Sequence, residues 1–194
     1  MSSAVALEIL RDNSAYFEGH FKLASGLHSD RYIQCARALQ HPGPASELGA
    51  MLADKAREAV NDKIDVIVGP AMGGIIIAHE LGRALGVRAV FMERVKGEFT
   101  LRRGFTIGKD ENVLLCEDVV TTGGSVRKVQ NILEDAGINV LAIAAIADRS
   151  GGKAGFTVPF VPLVSLEIAA WKPEECPLCQ NNVELTVPGS GGLS

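Results

Sequence analysis

The chain has 194 residues, of which 47% are hydrophobic and 22% charged, and its formal net charge is −4. This length suits one domain with a buried core. The acidic balance argues against nucleic-acid binding, which usually needs a basic face. The opening residues MSSAVALEILRDN are too polar for a secretion signal, and no apolar stretch is long enough for a membrane span. Four cysteines without a disulfide-framework spacing indicate a cytoplasmic protein.

Helices and strands are predicted to alternate through most of the chain. Helical periodicity runs through 5–10 and 48–60, and Pro44 suits a helix start. Further helices are predicted at 75–86, ended by Gly86, and at 125–137. Strands are predicted at 64–68, 87–93, 112–120 and 139–148. The basic segment 96–112 has no clean period and is predicted as a loop or a mobile hairpin. This alternation predicts an α/β fold with a mostly parallel sheet covered on both faces.

One predicted strand ends in two acids and a run of small residues. The stretch LLCEDVVTTGGSV, residues 114–126, passes Glu117 and Asp118 and then turns into a helix. Sheets of this kind bind ligands at the carboxyl ends of their strands, and a glycine-rich turn at a helix N-terminus favours phosphate. Carboxylates repel phosphate but accept hydrogen bonds from sugar hydroxyls. The stretch therefore predicts a ribose phosphate ligand, rather than a turn whose acids only cap backbone donors.

This motif, residues 113–125, resembles the phosphoribosyl diphosphate (PRPP) binding motif of the type I phosphoribosyltransferases. Four other segments are similar to the orotate phosphoribosyltransferases within that family: FKLASGLHSDRYIQC, GPAMGGIIIA, ERVKGEFTLRRGF and PEECPLC. The resemblance implies the type I phosphoribosyltransferase fold, with a mostly parallel central sheet flanked by helices and a small N-terminal hood. It implies a single domain over 1–188, with the hood at about 1–40, the segment at about 160–188 packing on it, and a flexible tail at 189–194.

The resemblance further implies the reaction. The 5-phosphoribosyl group of PRPP would pass to orotate, giving orotidine 5′-phosphate and diphosphate in UMP biosynthesis, with Mg²⁺ as cofactor. PRPP oxygens would hold most of the Mg²⁺ shell, so no direct protein ligand is expected, with Asp118 as the alternative. A homodimer is implied, because the mobile loop of the family closes over the neighbouring subunit's site. Two alternatives stay open: a purine or xanthine phosphoribosyltransferase, and a PRPP-sensing regulatory protein that binds nucleic acid.

Roles carry over from the family residue by residue. The acid pair would bind the ribose hydroxyls and the turn would bind the 5′-phosphate, so the PRPP-binding set is Glu117, Asp118, Val119, Val120, Thr121, Thr122, Gly123, Gly124, Ser125, Gly73 and Gly74. The catalytic set is Arg94, Lys96, Arg102 and Arg103 of the loop, with Asp118. The orotate-binding set is Thr121, Arg149, Tyr32 and Ile33. The Arg149 guanidinium matches the geometry of a carboxylate, and this interpretation competes with an ion pair to Asp148 or to an acid of a loop.

Two positions depart from the enteric pattern of the family. Ala24 stands where that pattern has a lysine, and either Lys22 or His28 is a candidate replacement. Met72 and Gly73 stand where that pattern has Tyr-Lys, so backbone N–H groups would have to replace a side-chain contact to diphosphate.

The pair Cys176 and Cys179 forms a single CxxC. A structural zinc site needs four ligands, and no second pair is in view, since the histidines are scattered along the sequence at His20, His28, His41 and His79. Plain thiols are therefore predicted, while a metal site shared across a dimer stays open.

Overall fold

The structure, a computed structural model, describes residues 2–23 and 25–188. The strands of this part of the chain are β1 (Tyr16–Lys22), β2 (His28–Ile33), β3 (Val66–Pro70), β4 (Arg88–Val95), β5 (Glu98–Leu101), β6 (Asn112–Val120), β7 (Asn139–Asp148), β8 (Phe160–Ser165) and β9 (Ala170–Trp171). The helices are α1 (Ser2–Asp12), α2 (Ala36–Leu39), α3 (Pro42–Ala59), α4 (Gly74–Leu85), α5 (Gly124–Asp135) and α6 (Pro177–Gln180). Ala24 and the predicted tail at 189–194 lie outside the described residues.

A six-stranded sheet with the order β5-β4-β3-β6-β7-β8 forms the centre of the molecule. Strands β4, β3, β6, β7 and β8 are parallel, and only β5 is antiparallel to its neighbour β4. All five residues of β3 are buried, as expected for a strand covered by helices on both faces. The predicted α/β fold with a mostly parallel sheet is confirmed.

Two apolar layers cover the sheet. Neighbouring residues of a strand face opposite sides, so Ile67 and Leu114 join the core made with α1, α2, α3 and α4, whereas Val68 and Leu115 join the core made with α5. Within the described residues, no helix has both the length and the apolar character needed to cross a lipid bilayer.

Helix ends follow local sequence signals. Helix α3 begins at Pro42 rather than at Pro44, because the earlier proline already provides the fixed φ that suits a first helical position. Helix α4 ends at Gly86, whose φ of 73° is left-handed, so that predicted end is confirmed.

The basic segment after β4 forms a hairpin. Strand β5 pairs antiparallel with β4, with Arg94 opposite Phe99, and the turn lies at Lys96 and Gly97. The chain from 102 to 111 then runs to β6 without helix or strand. Of the two predicted forms, a loop or a hairpin, the structure therefore shows a short hairpin followed by a loop.

A second sheet joins the two ends of the described chain. It has the order β1-β2-β9 and is antiparallel, with His28 opposite Trp171 and Ser29 opposite Ala170. The Ser29 hydroxyl donates to the Ala169 carbonyl at 2.8 Å. Thr186 forms a parallel bridge with Phe21. The segment after β8 thus packs on the N-terminal strands, while the domain and hood boundaries stay predictions.

Candidate active site

The turn between β6 and α5 encloses a small cavity of about 70 Å³ at the carboxyl end of the sheet. Its walls are Glu117, the residues 119–125 and Val126. Gly123 precedes α5 with a φ of 73°, a conformation that glycine adopts without steric cost. A Cβ atom there would lie 2.9 Å from Phe156 Cζ. The N–H groups in the first turn of α5 have no carbonyl within the helix, so they can bind a phosphate.

Arg127 holds this turn in place. Its Nη2 donates to the Thr122 carbonyl at 2.6 Å, and its Nη1 donates to the Ala154 carbonyl. Its backbone N–H donates to the Gly123 carbonyl at 2.9 Å. Sequence reasoning missed this residue, although an arginine one turn into a helix that follows a glycine-rich turn was an available signal. Arg127 therefore positions the backbone groups of the turn.

The two acids lie side by side where β6 ends. Glu117 is buried, and burial first and then the charge of Asp118 raise the pKa of Glu117 to about 9. Its Oε1 accepts a hydrogen bond from the Asp118 N–H at 3.1 Å, while Asp118 Oδ1 accepts one from the Val119 N–H at 2.8 Å. Desolvation disfavours a charged carboxylate. Two acids held this close therefore favour ligands that donate hydrogen bonds or carry positive charge.

Gly73 and Gly74 bring a second loop against these acids. A Cβ atom at Gly73 would lie 2.5 Å from Asp118 Oδ1, and one at Gly74 would lie 2.8 Å from the Cys116 carbonyl. Only glycine permits this approach, so the structure brings the predicted glycines, the acid pair and the turn together. The oxygen donors available at this point suit a hard cation such as Mg²⁺.

A larger cavity of about 910 Å³ opens beside the acids. Asp118, Thr121 and Thr122 line one part of it, and the other lining residues include Lys22, Tyr32, Ile33, Cys35 and Arg149. The Cys35 thiol donates to the Asp118 carbonyl, with Sγ 3.8 Å from the oxygen. Burial raises the pKa of Cys35 well above its ordinary value, so this thiol is not a ready nucleophile.

Arg149 contributes an unpartnered donor to this large cavity. Its backbone N–H donates to the Val120 carbonyl at 2.8 Å, but its side-chain Nε is buried without a hydrogen-bond partner. Burial lowers the pKa of Arg149. Asp148 instead accepts from the Ser150 N–H at 2.7 Å, and no ion pair of Arg149 occurs among the described residues. A buried donor without a partner is costly, so this guanidinium is suited to bind an anion.

Comparison with known proteins identifies the family. Residues 37–155 match the phosphoribosyl transferase domain. The orotate phosphoribosyltransferase of Heliobacterium modesticaldum is 53% identical over 190 residues, which are 98% of this chain and 99% of that protein. The chain belongs to the orotate phosphoribosyltransferase family. Carboxydothermus hydrogenoformans has a relative of the same name that is 48% identical over 185 residues, 94% of this chain and 95% of that protein.

A solved structure supports the same assignment. The crystal structure of orotate phosphoribosyltransferase from Aeropyrum pernix has a TM-score of 0.67 and 25% identity, and it covers 86% of this chain and 94% of that one. The predicted family, its fold and its enzyme class are thereby confirmed.

The loop cations of this family member lie in two different places. Arg94 Nη2 is 3.4 Å from Ser125 Oγ, and its guanidinium stacks over the Phe99 ring. Arg102 and Arg103 instead pair with Glu93 at 3.5 Å and 2.6 Å. The structure therefore brings Arg94 to the glycine-rich turn between β6 and α5, but it does not bring the other two arginines there. Lys96 is exposed at the hairpin turn.

Ala24 stands where the enteric pattern of the orotate phosphoribosyltransferase family has a lysine, and this position lies outside the described residues. Lys22 lines the large cavity. His28 is buried and its ring points to His20 and Cys179. Of the two candidate replacements, Lys22 is therefore the one that can reach a ligand.

The sequence shows no second pair of ligands beside Cys176 and Cys179, but the structure brings His20 and His28 to them. His20, His28, Cys176 and Cys179 each present one ligand atom, and these atoms all lie within 4.8 Å of one another. We call them the histidine–cysteine cluster. The four cysteines of the chain are free. Pairing of β1, β2 and β9 brings the C-terminal CxxC onto the N-terminal strands, which the sequence spacing did not reveal.

Proposed function

We propose that the chain transfers the 5-phosphoribosyl group of PRPP to orotate, giving orotidine 5′-phosphate and diphosphate. The observation that carries this proposal is Arg149, which lines a cavity together with Asp118 and Thr121 and whose Nε is buried without a hydrogen-bond partner. Three parts of the site follow the order of base, ribose and phosphate in a nucleotide. They are a guanidinium for the orotate carboxylate, an acid pair for the ribose and a turn for the 5′-phosphate.

The turn and the acids would act together on PRPP. Backbone N–H groups at the start of α5 bind the 5′-phosphate, and Arg127 keeps them in place through Thr122. Glu117 and Asp118 accept hydrogen bonds from the ribose hydroxyls, which favours the ionised form of each acid. When diphosphate departs, positive charge develops on the ribose ring. The two carboxylates are then in position to stabilise it without any covalent intermediate.

Orotate would lie in the large cavity. Its carboxylate binds Arg149, Tyr32 and Ile33 flank its ring, and the Thr121 hydroxyl donates or accepts a further hydrogen bond. Holding the orotate base next to the ribose carbon that it attacks makes this reaction effectively intramolecular. Such positioning accounts for a large part of the lowering of the activation barrier.

Four cations of the β4–β5 hairpin and the following loop would bind the diphosphate: Arg94, Lys96, Arg102 and Arg103. We infer that Glu93 holds Arg102 and Arg103 while no diphosphate is present. When the loop closes over the site of a second copy in a homodimer, these arginines exchange one carboxylate for the more highly charged diphosphate. Closure also keeps water away from PRPP, which water would otherwise hydrolyse.

Mg²⁺ would be bound chiefly by diphosphate and sugar oxygens, with Asp118 as the nearest protein carboxylate, and it would neutralise charge on the leaving group. Gly73 lets the neighbouring loop come close to this carboxylate. We place the reaction in UMP biosynthesis in the cytoplasm.

A spectrophotometric assay with PRPP, Mg²⁺ and a panel of bases tests the proposal. We expect turnover with orotate and none with adenine, hypoxanthine or xanthine. Turnover of a purine without turnover of orotate would show the alternative enzyme. PRPP binding without turnover of any base, together with nucleic-acid binding, would show the regulatory alternative.

Complementation between subunits tests the shared loop. We expect that mixing an Arg102→Ala/Arg103→Ala chain with an Asp118→Asn chain restores part of the activity, because one site of the mixed dimer then has an intact loop and an intact acid pair. Mixing either variant with itself is the control. Activity no higher than that of the two single preparations would contradict a loop that acts across subunits.

A further inference from the structure

The histidine–cysteine cluster takes its members from both ends of the described chain. His20 lies in β1 and His28 in β2, whereas Cys176 directly precedes α6 and Cys179 lies within it. His20, His28 and Cys176 are buried, with 3%, 5% and 0% of their surface exposed, and Cys179 is half-buried. None of the four lines the large cavity or the phosphate-binding turn, so the reaction does not use this cluster.

The distances within the cluster are close to those of a tetrahedral site. His20 Nε2 lies 2.9 Å from His28 Nδ1, 3.5 Å from Cys176 Sγ and 3.7 Å from Cys179 Sγ. Cys179 Sγ lies 3.2 Å from His28 Nδ1. A tetrahedral zinc ion with its ordinary bonds to nitrogen and sulfur separates its ligand atoms by about 3.3 to 3.8 Å. Small shifts of these side chains would therefore complete the site.

The position of the proton on the His20 ring also suits a metal ligand. Its Nδ1 lies 2.9 Å from the Val183 carbonyl, which can only accept, so Nδ1 carries the proton. In the neutral ring, Nε2 then has a free lone pair, and this lone pair points at the other members of the cluster. Metal-binding histidines usually have the same arrangement, in which the second ring nitrogen donates to a carbonyl or a carboxylate.

A redox role for the CxxC fits the structure less well. A reactive cysteine needs an accessible sulfur in electropositive surroundings, whereas Cys176 has no exposed surface. Such a role also gives no function to the two histidines beside the sulfurs. Two sulfur and two nitrogen ligands are instead the donor set of structural zinc sites.

We propose that His20, His28, Cys176 and Cys179 bind one structural Zn²⁺ ion. All four positions of the ion are filled by the protein, so the site is closed and has no position for a substrate. Its ligands connect the β1–β2 hairpin to the C-terminal segment. A few residues beyond the cluster, the Thr186 N–H donates to the His20 carbonyl at 2.8 Å, and Val187 and Pro188 line the large cavity. The ion would therefore fix one wall of the orotate site from outside it.

Metal analysis of the purified protein, without a polyhistidine tag, tests this proposal. After growth with added zinc, we expect about one Zn²⁺ per chain, and less than about a tenth of an ion in Cys179→Ser. His79→Gln is the matched control, because His79 is exposed and outside the cluster. It should retain the full complement of metal. Equal zinc content in Cys179→Ser and the parent would overturn the proposal.

Two measurements on the unmodified chain keep the test decisive if the variant does not fold. Titration with a mercurial should release the zinc in step with modification of two thiols. Reduced, metal-free protein dialysed against Co²⁺ should show the visible bands of a tetrahedral ion and a thiolate-to-metal charge-transfer band. A chain that contains no zinc and develops neither absorption would refute the site. A chelator should lower the melting temperature of the parent but not that of a metal-free variant.

Discussion

The large cavity and the histidine–cysteine cluster both contain buried polar groups, but these groups are satisfied in different ways. In the cavity, Arg149 has an Nε without a partner. Next to the lining residue Asp118, Glu117 has its pKa raised by burial first and then by the charge of that second acid. In the cluster, each member has another ligand atom nearby, and the closest pair is 2.9 Å apart. The unsatisfied groups of the cavity are suited to a ligand that binds and dissociates. The cluster is suited to a permanent cross-link between the β1–β2 hairpin and the C-terminal segment.

The largest effect is expected from Asp118→Asn. In the proposed mechanism two charges stabilise the ribose cation, so removing one of them should lower kcat/KM by about 10²–10³-fold, and PRPP should bind more weakly. The melting temperature should change little, since the amide can still accept from the Val119 N–H. Steady-state kinetics and calorimetric titration with PRPP measure these effects. Asp110→Asn, an exposed acid outside the site, is the control, and an equal loss there would contradict the ribose role.

Arg149→Gln should separate activity from stability. Loss of the proposed charge-assisted hydrogen bond from Arg149 to orotate, worth about 1.5–3 kcal/mol, should raise KM for orotate by about 10–100-fold. The free energy of unfolding should not fall, because the variant removes a buried guanidinium whose Nε has no partner. Denaturant unfolding and kinetics on the same preparations test both expectations. Arg57→Gln, on the outside of α3, is the control. A marked loss of stability with unchanged KM would show a structural arginine.

Glu117→Gln should change how stability depends on pH in the absence of substrates and Mg²⁺. The folded chain keeps a proton on Glu117 up to a pKa of about 9, whereas the unfolded chain loses it near the ordinary value. Stability should therefore fall as pH rises between these two values, by at most about 1.4 kcal/mol per pH unit. The variant should lack this component. Unfolding measured at about pH 6 and about pH 8.5 tests it, with the exposed Glu58→Gln as the control. Parallel pH profiles for parent and variant would contradict the raised pKa.

The smallest effect on stability is expected from Arg102→Ala/Arg103→Ala. The pairs with Glu93 are largely exposed on the arginine side, and such pairs contribute about 1 kcal/mol or less. Thermal unfolding should therefore be nearly unchanged while the rate of transfer falls. A large drop in melting temperature would mean that the loop is part of the fold rather than a part that moves over a substrate.

The parts of the candidate site that could be predicted from the sequence are those with a clear local pattern. The strand β6, the acids and the glycine-rich turn are consecutive in the chain, so their geometry follows from a strand that leads into a helix. Arg149 was identifiable because it directly follows β7. The pairing of Arg102 and Arg103 with Glu93 could not be predicted, because it depends on the hairpin register.

The histidine–cysteine cluster lay beyond the reach of local pattern. His20 and Cys176 are 156 positions apart. They meet because Thr186 bridges to Phe21 and because β2 pairs with β9, a strand of two residues with no period of its own. Strands β1 and β2 were not predicted as separate elements either. Their burial does not alternate strictly, and the pairing shifts register between Glu18 and Phe21.

The pairing of β2 with β9 has a consequence for the order in which the molecule can form. The hydrogen bond from Ser29 to Ala169 joins positions 140 residues apart, and contacts so distant in sequence form late and slowly. During synthesis the central sheet can therefore form before β9 pairs with β2. One wall of the large cavity is therefore expected to be completed last. Pulsed proteolysis during refolding should find the N-terminal hairpin cleavable after the central sheet has become resistant.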